Sequence, residues 1–173
     1  MSQKTENVMK KIFLSKVVLN MGVGKSGEPI EIGKKTLEQI TGKKPNIRNA
    51  KKSQRDWGVR KGEPIGVAIT VRNDDAMELL KRLLVAKDNK INGRSIDNEG
   101  NIAFGIKEHI DIPGIKYDPQ IGILGLEVSI SLARSGFNIR FRSTQKSKIG
   151  KTHRITKNDS IKFLTEKFGA EIV

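Results

Sequence analysis

The chain has 173 residues, a formal net charge of +14 and no cysteine. That length fits one domain with a real core, and the basic excess points first to nucleic acid and second to an acidic membrane surface. The absence of cysteine excludes disulfides, zinc ribbons, iron–sulfur clusters and thiol nucleophiles, and no stretch approaches the roughly 18 apolar residues of a bilayer span.

Residues 1–10 read as a polar, mobile arm with no apolar core and no cleavage site of a signal peptide. The first strand alternates, with Val17, Leu19, Met21 and Val23 on one side and Lys16, Val18, Asn20 and Gly22 on the other. Gly22, Gly24 and Gly27 then spell G-x-G-x-x-G, and Gly24-Lys25-Ser26 looks like the end of a phosphate-binding loop. A helix follows, with Gly33, Leu37 and Ile40 at helical spacing and Gly42 in the C-cap position.

Residues 43–61 hold eight Lys/Arg (Lys43, Lys44, Arg48, Lys51, Lys52, Arg55, Arg60, Lys61) against one acid, Asp56. Trp57, the only tryptophan, lies in their middle, as either a stacking contact or a small anchor in the fold. Pro64 opens a second strand, with Ile65, Val67, Ile69 and Val71 opposite Gly66, Ala68, Thr70 and Arg72. Asn73 is in place to cap a helix striped with Ala76, Leu79, Leu80 and Leu83. Ile102, Phe104 and Ile106 alternate with Asn101, Ala103 and Gly105. Residues 107–122 show no period, and a loop of that length in a compact domain is usually functional or disordered.

The fourth strand is the cleanest, with Leu124, Leu126, Val128, Ile130 and Leu132 facing one side and Gly125, Glu127, Ser129, Ser131 and Ala133 the other. Residues 134–158 carry no acid, eight Lys/Arg and His153. Thr156 and Asp159 resemble a capping box for a last helix lined by Ile161, Leu164 and Phe168 and closed by Gly169. The pattern predicts one α+β domain over 1–173, with basic loops at 43–64 and 135–155. Its sheet is mostly antiparallel, of four to five strands, with helices on one face and the other open.

Each strand has a second face of Gly, Ala, Ser, Thr and Asn, where solvated faces usually carry long charged side chains. Small hydrogen-bonding residues flanked by basic loops let a sugar–phosphate backbone approach closely. Aromatics make up only 5% of the chain, which argues against a platform of rings for stacked bases. The dinucleotide reading lacks its ribose-binding acid some 20 residues on, and Leu19 stands where a phosphate-binding loop needs its first glycine. The two histidines, His109 and His153, give no metal spacing. No G-x-S-x-G occurs. The chain reads as a non-enzyme without cofactor or metal.

Several segments in order, VVLNMGVG, TGKKP, GEPIGVAITVR, GNIAFGIKEHID and IKYDPQIGILGLEVSISLAR, resemble the "L five" family of large-subunit ribosomal proteins, the universal binders of 5S ribosomal RNA. The likeness runs from about residue 10 to the C-terminus, and KSKIGKTHRITKNDSIKFLTEKFG resembles the archaeal and eukaryotic branch. It implies a cytoplasmic, ribosomal protein that helps attach 5S rRNA in the central protuberance, beside large-subunit rRNA and neighbouring proteins, with no membrane partner. Asn20, Thr70, Arg72 and Asn101 fall on positions expected to bond that RNA, joined by Lys16, Gly22, Lys43, Lys44 and Arg48. The resemblance gives Lys51, Lys52, Arg55, Trp57, Arg60 and Lys61 to a peptidyl-site transfer RNA. It gives His109, Pro113, Lys116 and Tyr117 to a bridge with a small-subunit head protein. Arg140, Arg142, Lys146, Lys148, Lys151 and Arg154 are expected as further RNA contacts. The alternatives are a free-standing RNA chaperone or regulator, and a nucleotide-binding enzyme using residues 22–27.

Overall fold

A computed structural model of the chain describes residues 7–24, 27–115, 119 and 122–173. The polypeptide runs β1 (Ile12–Gly22), α1 (Glu28–Thr41), β2 (Asn46–Asn49), β3 (Pro64–Val71), α2 (Asn73–Val85), β4 (Lys90–Ile91), β5 (Ile102–Ile106), β6 (Leu126–Arg134), α3 (Lys157–Phe168) and β7 (Glu171–Ile172). Five strands form one antiparallel sheet in the order β2-β3-β1-β6-β5, and β4 pairs with β7 in a parallel ribbon. The α+β architecture expected from the alternation is therefore present, with β1 at its centre. Among the described residues no helix is long and apolar enough to cross a membrane.

The apolar side of four of the five strands in this sheet is buried: Val17, Leu19 and Met21; Val67, Ile69 and Val71; Ile102, Phe104 and Ile106; Val128, Ile130 and Leu132. In the edge strand β2, Ile47 is 45% exposed. Helix α1 lies against β3 and α2 against β1, seating Leu37, Ile40, Leu79, Leu80 and Leu83 on that layer. Gly33 sits where α1 comes closest, since a Cβ there would stand 3.1 Å from Val67 Cγ2. Its place in the helical stripe reflects close approach of helix to sheet. In α3 the Thr156–Asp159 capping box forms as expected, and Ser160 donates its hydroxyl to Gly100 O at 2.9 Å.

Four local expectations change. Strand β1 starts at Ile12, with a bulge between Leu14 and Lys16. The basic segment 43–64 contains a strand, β2, at the sheet edge. Asn73 does not cap α2. Arg72 occupies the cap position without a side-chain bond, and Asn73 follows with φ 61°. The segment 135–155 is folded, with 3-10 turns at Phe137–Arg140 and Lys151–His153. In the N-terminal arm, residues 1–6 lie outside the described residues; Val8–Lys10 form a 3-10 turn capped by the Asn7 side chain.

Candidate nucleic-acid interface

The second face of the sheet is floored by cross-strand rows. Asn46, Ala68, Asn20, Glu127 and Gly105 lie in register across all five strands. Thr70, Val18, Ser129 and Ala103 form a parallel row over four of them, and Arg48, Gly66 and Gly22 another at one edge. Few atoms rise above the backbone along these rows, so a ligand can come close to the pleat. Asn20 is oriented by its neighbour, its Nδ2 donating to Glu127 Oε2 at 3.2 Å. Glu127 is exposed and puts an acceptor in the middle of the face.

Lys16, Arg72 and Asn101 meet at the far end of these rows, lining a common groove of about 650 Å³. Asn101 is held there by Asp97, which accepts from its backbone N–H at 2.8 Å and from its Nδ2 at 2.9 Å. Lys43 is ion-paired with Asp75 of α2, so part of its charge serves the fold, while Lys44 is exposed.

After β2 the chain extends into a hairpin. Ala50 N–H donates to Glu63 O at 2.8 Å, and Gln54 and Val59 exchange backbone bonds of 2.8 and 3.1 Å. Gly58, with φ 65°, turns the tip. Lys51, Lys52, Arg55, Arg60 and Lys61 are all exposed on this finger. Trp57 at the tip is 78% exposed. Of its two possible roles, anchoring the fold is therefore removed.

The segment 107–124 is closed by a buried clamp. His109 is 0% exposed; its backbone N–H donates to Leu124 O at 3.0 Å, and its Nδ1 accepts from Leu124 N–H at 3.3 Å. An accepting Nδ1 places the proton of the neutral ring on Nε2, which is buried without a partner among the described residues. His109 was expected at a contact surface. Enclosed in this way the ring offers no atom to another molecule; it holds the loop. Pro113 is exposed, and Lys116 and Tyr117 lie outside the described residues.

Beyond β6, Arg140, Arg142, Lys146, Lys148, Lys151 and Arg154 are exposed, yet three of them also shape the segment. Arg142 donates to Gln145 O from Nε at 2.9 Å and from an Nη at 2.7 Å. Arg154 Nε donates to Ile149 O at 3.3 Å, and Arg140 lies 3.6 Å from Glu99. Arg134 fastens the segment to α3: it donates to Arg154 O at 3.1 Å and pairs with Asp159 Oδ2 at 3.0 Å. Burial pushes the Asp159 carboxyl up, but the Thr156 backbone N–H and hydroxyl and the Arg134 and Lys162 charges outweigh it, holding the group below its ordinary value.

The glycine turn at 22–27 does not build a nucleotide site. Lys25 and Ser26 lie outside the described residues, and Gly27, with φ 96°, caps a helix whose first turn carries Glu28 and Glu31. Those carboxylates oppose an anion at the helix start. The strand after α1, β2, runs parallel to β1 but does not pair with it, because the antiparallel β3 lies between them; a dinucleotide unit sets its two strands side by side.

Residue reading missed Phe13, Ser15 and Phe141, which line the groove beside Lys16 and Arg72. The sequence carries no signal for Phe13, which shares the odd parity of Val17, Leu19 and Met21; only the bulge between Leu14 and Lys16 turns it away from the core.

Fold and surface together define a class: a basic α+β protein that covers one sheet face with helices and leaves the other, floored with small polar groups, open to a polyanion. A family profile described as "Ribosomal protein L5" matches residues 7–60, and a second profile, for the C-terminal part of the same ribosomal family, matches residues 64–163. The large ribosomal subunit protein uL5 of Nitrosopumilus maritimus is 63% identical over 172 residues, covering 99% of each chain. The protein of that name from Cenarchaeum symbiosum is 57% identical, covering 95% of this chain and 98% of its own. The one from Pyrobaculum aerophilum is 46% identical, covering 95% and 92%. The chain belongs to the ribosomal protein L5 family, a structural, non-enzymatic family of ribosomal constituents. These relatives are archaeal, as the basic segment near the C-terminus led one to expect.

Proposed function

We propose that this chain is a structural constituent of the large ribosomal subunit, in the cytoplasm, that binds 5S rRNA through its open sheet face and helps attach it in the central protuberance. The observation that carries this reading is the row Asn46, Ala68, Asn20, Glu127 and Gly105, small or hydrogen-bonding at each of five strands and bordered by Lys16, Arg48 and Arg72. Such a floor recognises RNA by shape and by phosphate and ribose contacts, without chemistry. The exposed 50–63 hairpin suits a second RNA, the peptidyl-site transfer RNA, because its cations stand off the sheet around an accessible indole. The loop clamped by His109 suits contact with a small-subunit head protein, with Pro113 on its surface. Large-subunit rRNA and neighbouring central-protuberance proteins complete the set of partners.

A filter-binding titration tests the reading. The chain binds an archaeal 5S rRNA more tightly than an unrelated folded RNA of similar length, and the affinity falls steeply with salt as counterions are released. Equal affinity for the two RNAs overturns it.

A further inference from the structure

The bulge in β1 changes which way its first residues face. From Val17 through Met21 the odd-numbered residues are buried, and strict alternation would put Phe13 among them. Strand β1 instead gains one residue between Leu14, opposite Leu132, and Lys16, opposite Ser131. Leu14 is then buried at 7%, while Phe13, opposite Ala133, is 45% exposed on the open face. Bulges re-aim side chains in this way beside functional sites.

Of six phenylalanines, four belong to the core or pack against it: Phe104, Phe137, Phe163 and Phe168. The other two, Phe13 and Phe141, both line the 650 Å³ groove, and Phe141 is 73% exposed. Arg140 stands with its guanidinium carbon 5.7 Å from the centre of the Phe141 ring and 3.6 Å from Glu99, which holds it beside that ring. Lys16 and Arg72 supply two more cations to the same groove.

We propose that this groove is a site for an unpaired nucleobase, stacked on Phe13 and Phe141, with its phosphate taken by Lys16, Arg72 and Arg140. The inference rests on the RNA reading above and names the feature of the RNA that this end of the face selects. A paired base has both faces covered by its neighbours in the helix, so only a splayed base can present a π-face to a side-chain ring. The groove's volume is within the roughly 300–1,000 Å³ that encloses one small ligand, and its concave shape does not suit a bilayer surface. Few aromatics in the chain argued against a stacking platform. The structure brings two of them to one place, which suffices for one or two bases.

The test compares two RNA hairpins of equal length and charge at one salt concentration, one with a two-nucleotide bulge and one fully paired. The wild-type chain prefers the bulged hairpin by about tenfold, as expected for base–ring stacking. Phe13→Ala and Phe141→Ala each remove most of that preference and leave the paired hairpin bound as before. Phe141→Tyr keeps the preference and Phe141→Leu does not, which separates stacking from bulk. Both rings are outside the core, so the variants unfold at the wild-type temperature. Equal binding of the two hairpins, or a preference that survives in the double alanine variant, overturns the site and leaves the RNA reading standing while 5S rRNA is still held. Failure of the wild-type chain to hold 5S rRNA overturns both.

Discussion

Arg72 stands where the sheet ends and α2 begins, and its neighbour explains how it stays available. Asn73 adopts φ 61°, a left-handed conformation that Asn tolerates better than most residues, so the chain leaves the sheet within one residue. The guanidinium is left exposed at the rim of the open face, free of any partner among the described side chains. Arg72→Ala is expected to lower 5S affinity by roughly three- to tenfold and to reduce the slope of log affinity against log salt by about 1, the signature of one lost phosphate contact. Titrations at three or more salt concentrations read both quantities; an unchanged slope assigns Arg72 elsewhere. Its facing was legible in the sequence, because Thr70 and Arg72 continue the small side of an unbroken alternation. Phe13 was not legible by the same rule: a single inserted residue reverses parity, and hydrophobicity at Phe13 argues for the core as strongly as for a ligand.

At the scale of elements, the basic segment after β6 shows how charge can be fastened to a fold. Arg134 ends β6 and ties the returning chain to α3 through Asp159, which also belongs to the capping box with Thr156. One carboxylate thus holds together a helix start and the excursion between Arg134 and Arg154, 20 residues apart in sequence. Because its carboxyl is held below its ordinary value of 3.8 in the folded chain, the stabilisation is fully present above that value and is lost as pH falls through the lowered one. Asp159→Asn should therefore lower the unfolding temperature at pH 7, by a loss on the order of 1–2 kcal/mol typical of a cap with a partly buried partner. The difference from wild type should close as the pH drops below about 3.8. Thermal melts of both chains across that range check it, and a gap that persists in acid refutes it. The capping box was readable, since Thr156 and Asp159 are three residues apart. The Arg134 tie was not, because its partner is 25 residues away and only the folded path brings them together.

On the scale of the molecule, the sheet separates two basic surfaces that composition alone merges into a single charge of +14. The 50–63 hairpin enters β3 at Pro64, and Arg72 leaves it at the other end, beside the groove. Eight residues of extended strand at about 3.3 Å each put roughly 25 Å between them. That is about three screening lengths at physiological salt, where the Debye length is about 8 Å, so hairpin charges act weakly on a phosphate in the groove. Substitutions that far apart add independently. The double variant Lys51→Ala with Arg55→Ala should therefore keep 5S affinity within about twofold of wild type, while its affinity for transfer RNA falls several-fold. Combined with Arg72→Ala it should weaken 5S binding no more than Arg72→Ala alone. If the hairpin variant loses as much 5S affinity as Arg72→Ala, the two surfaces serve one RNA, and the length of β3 is what that RNA spans.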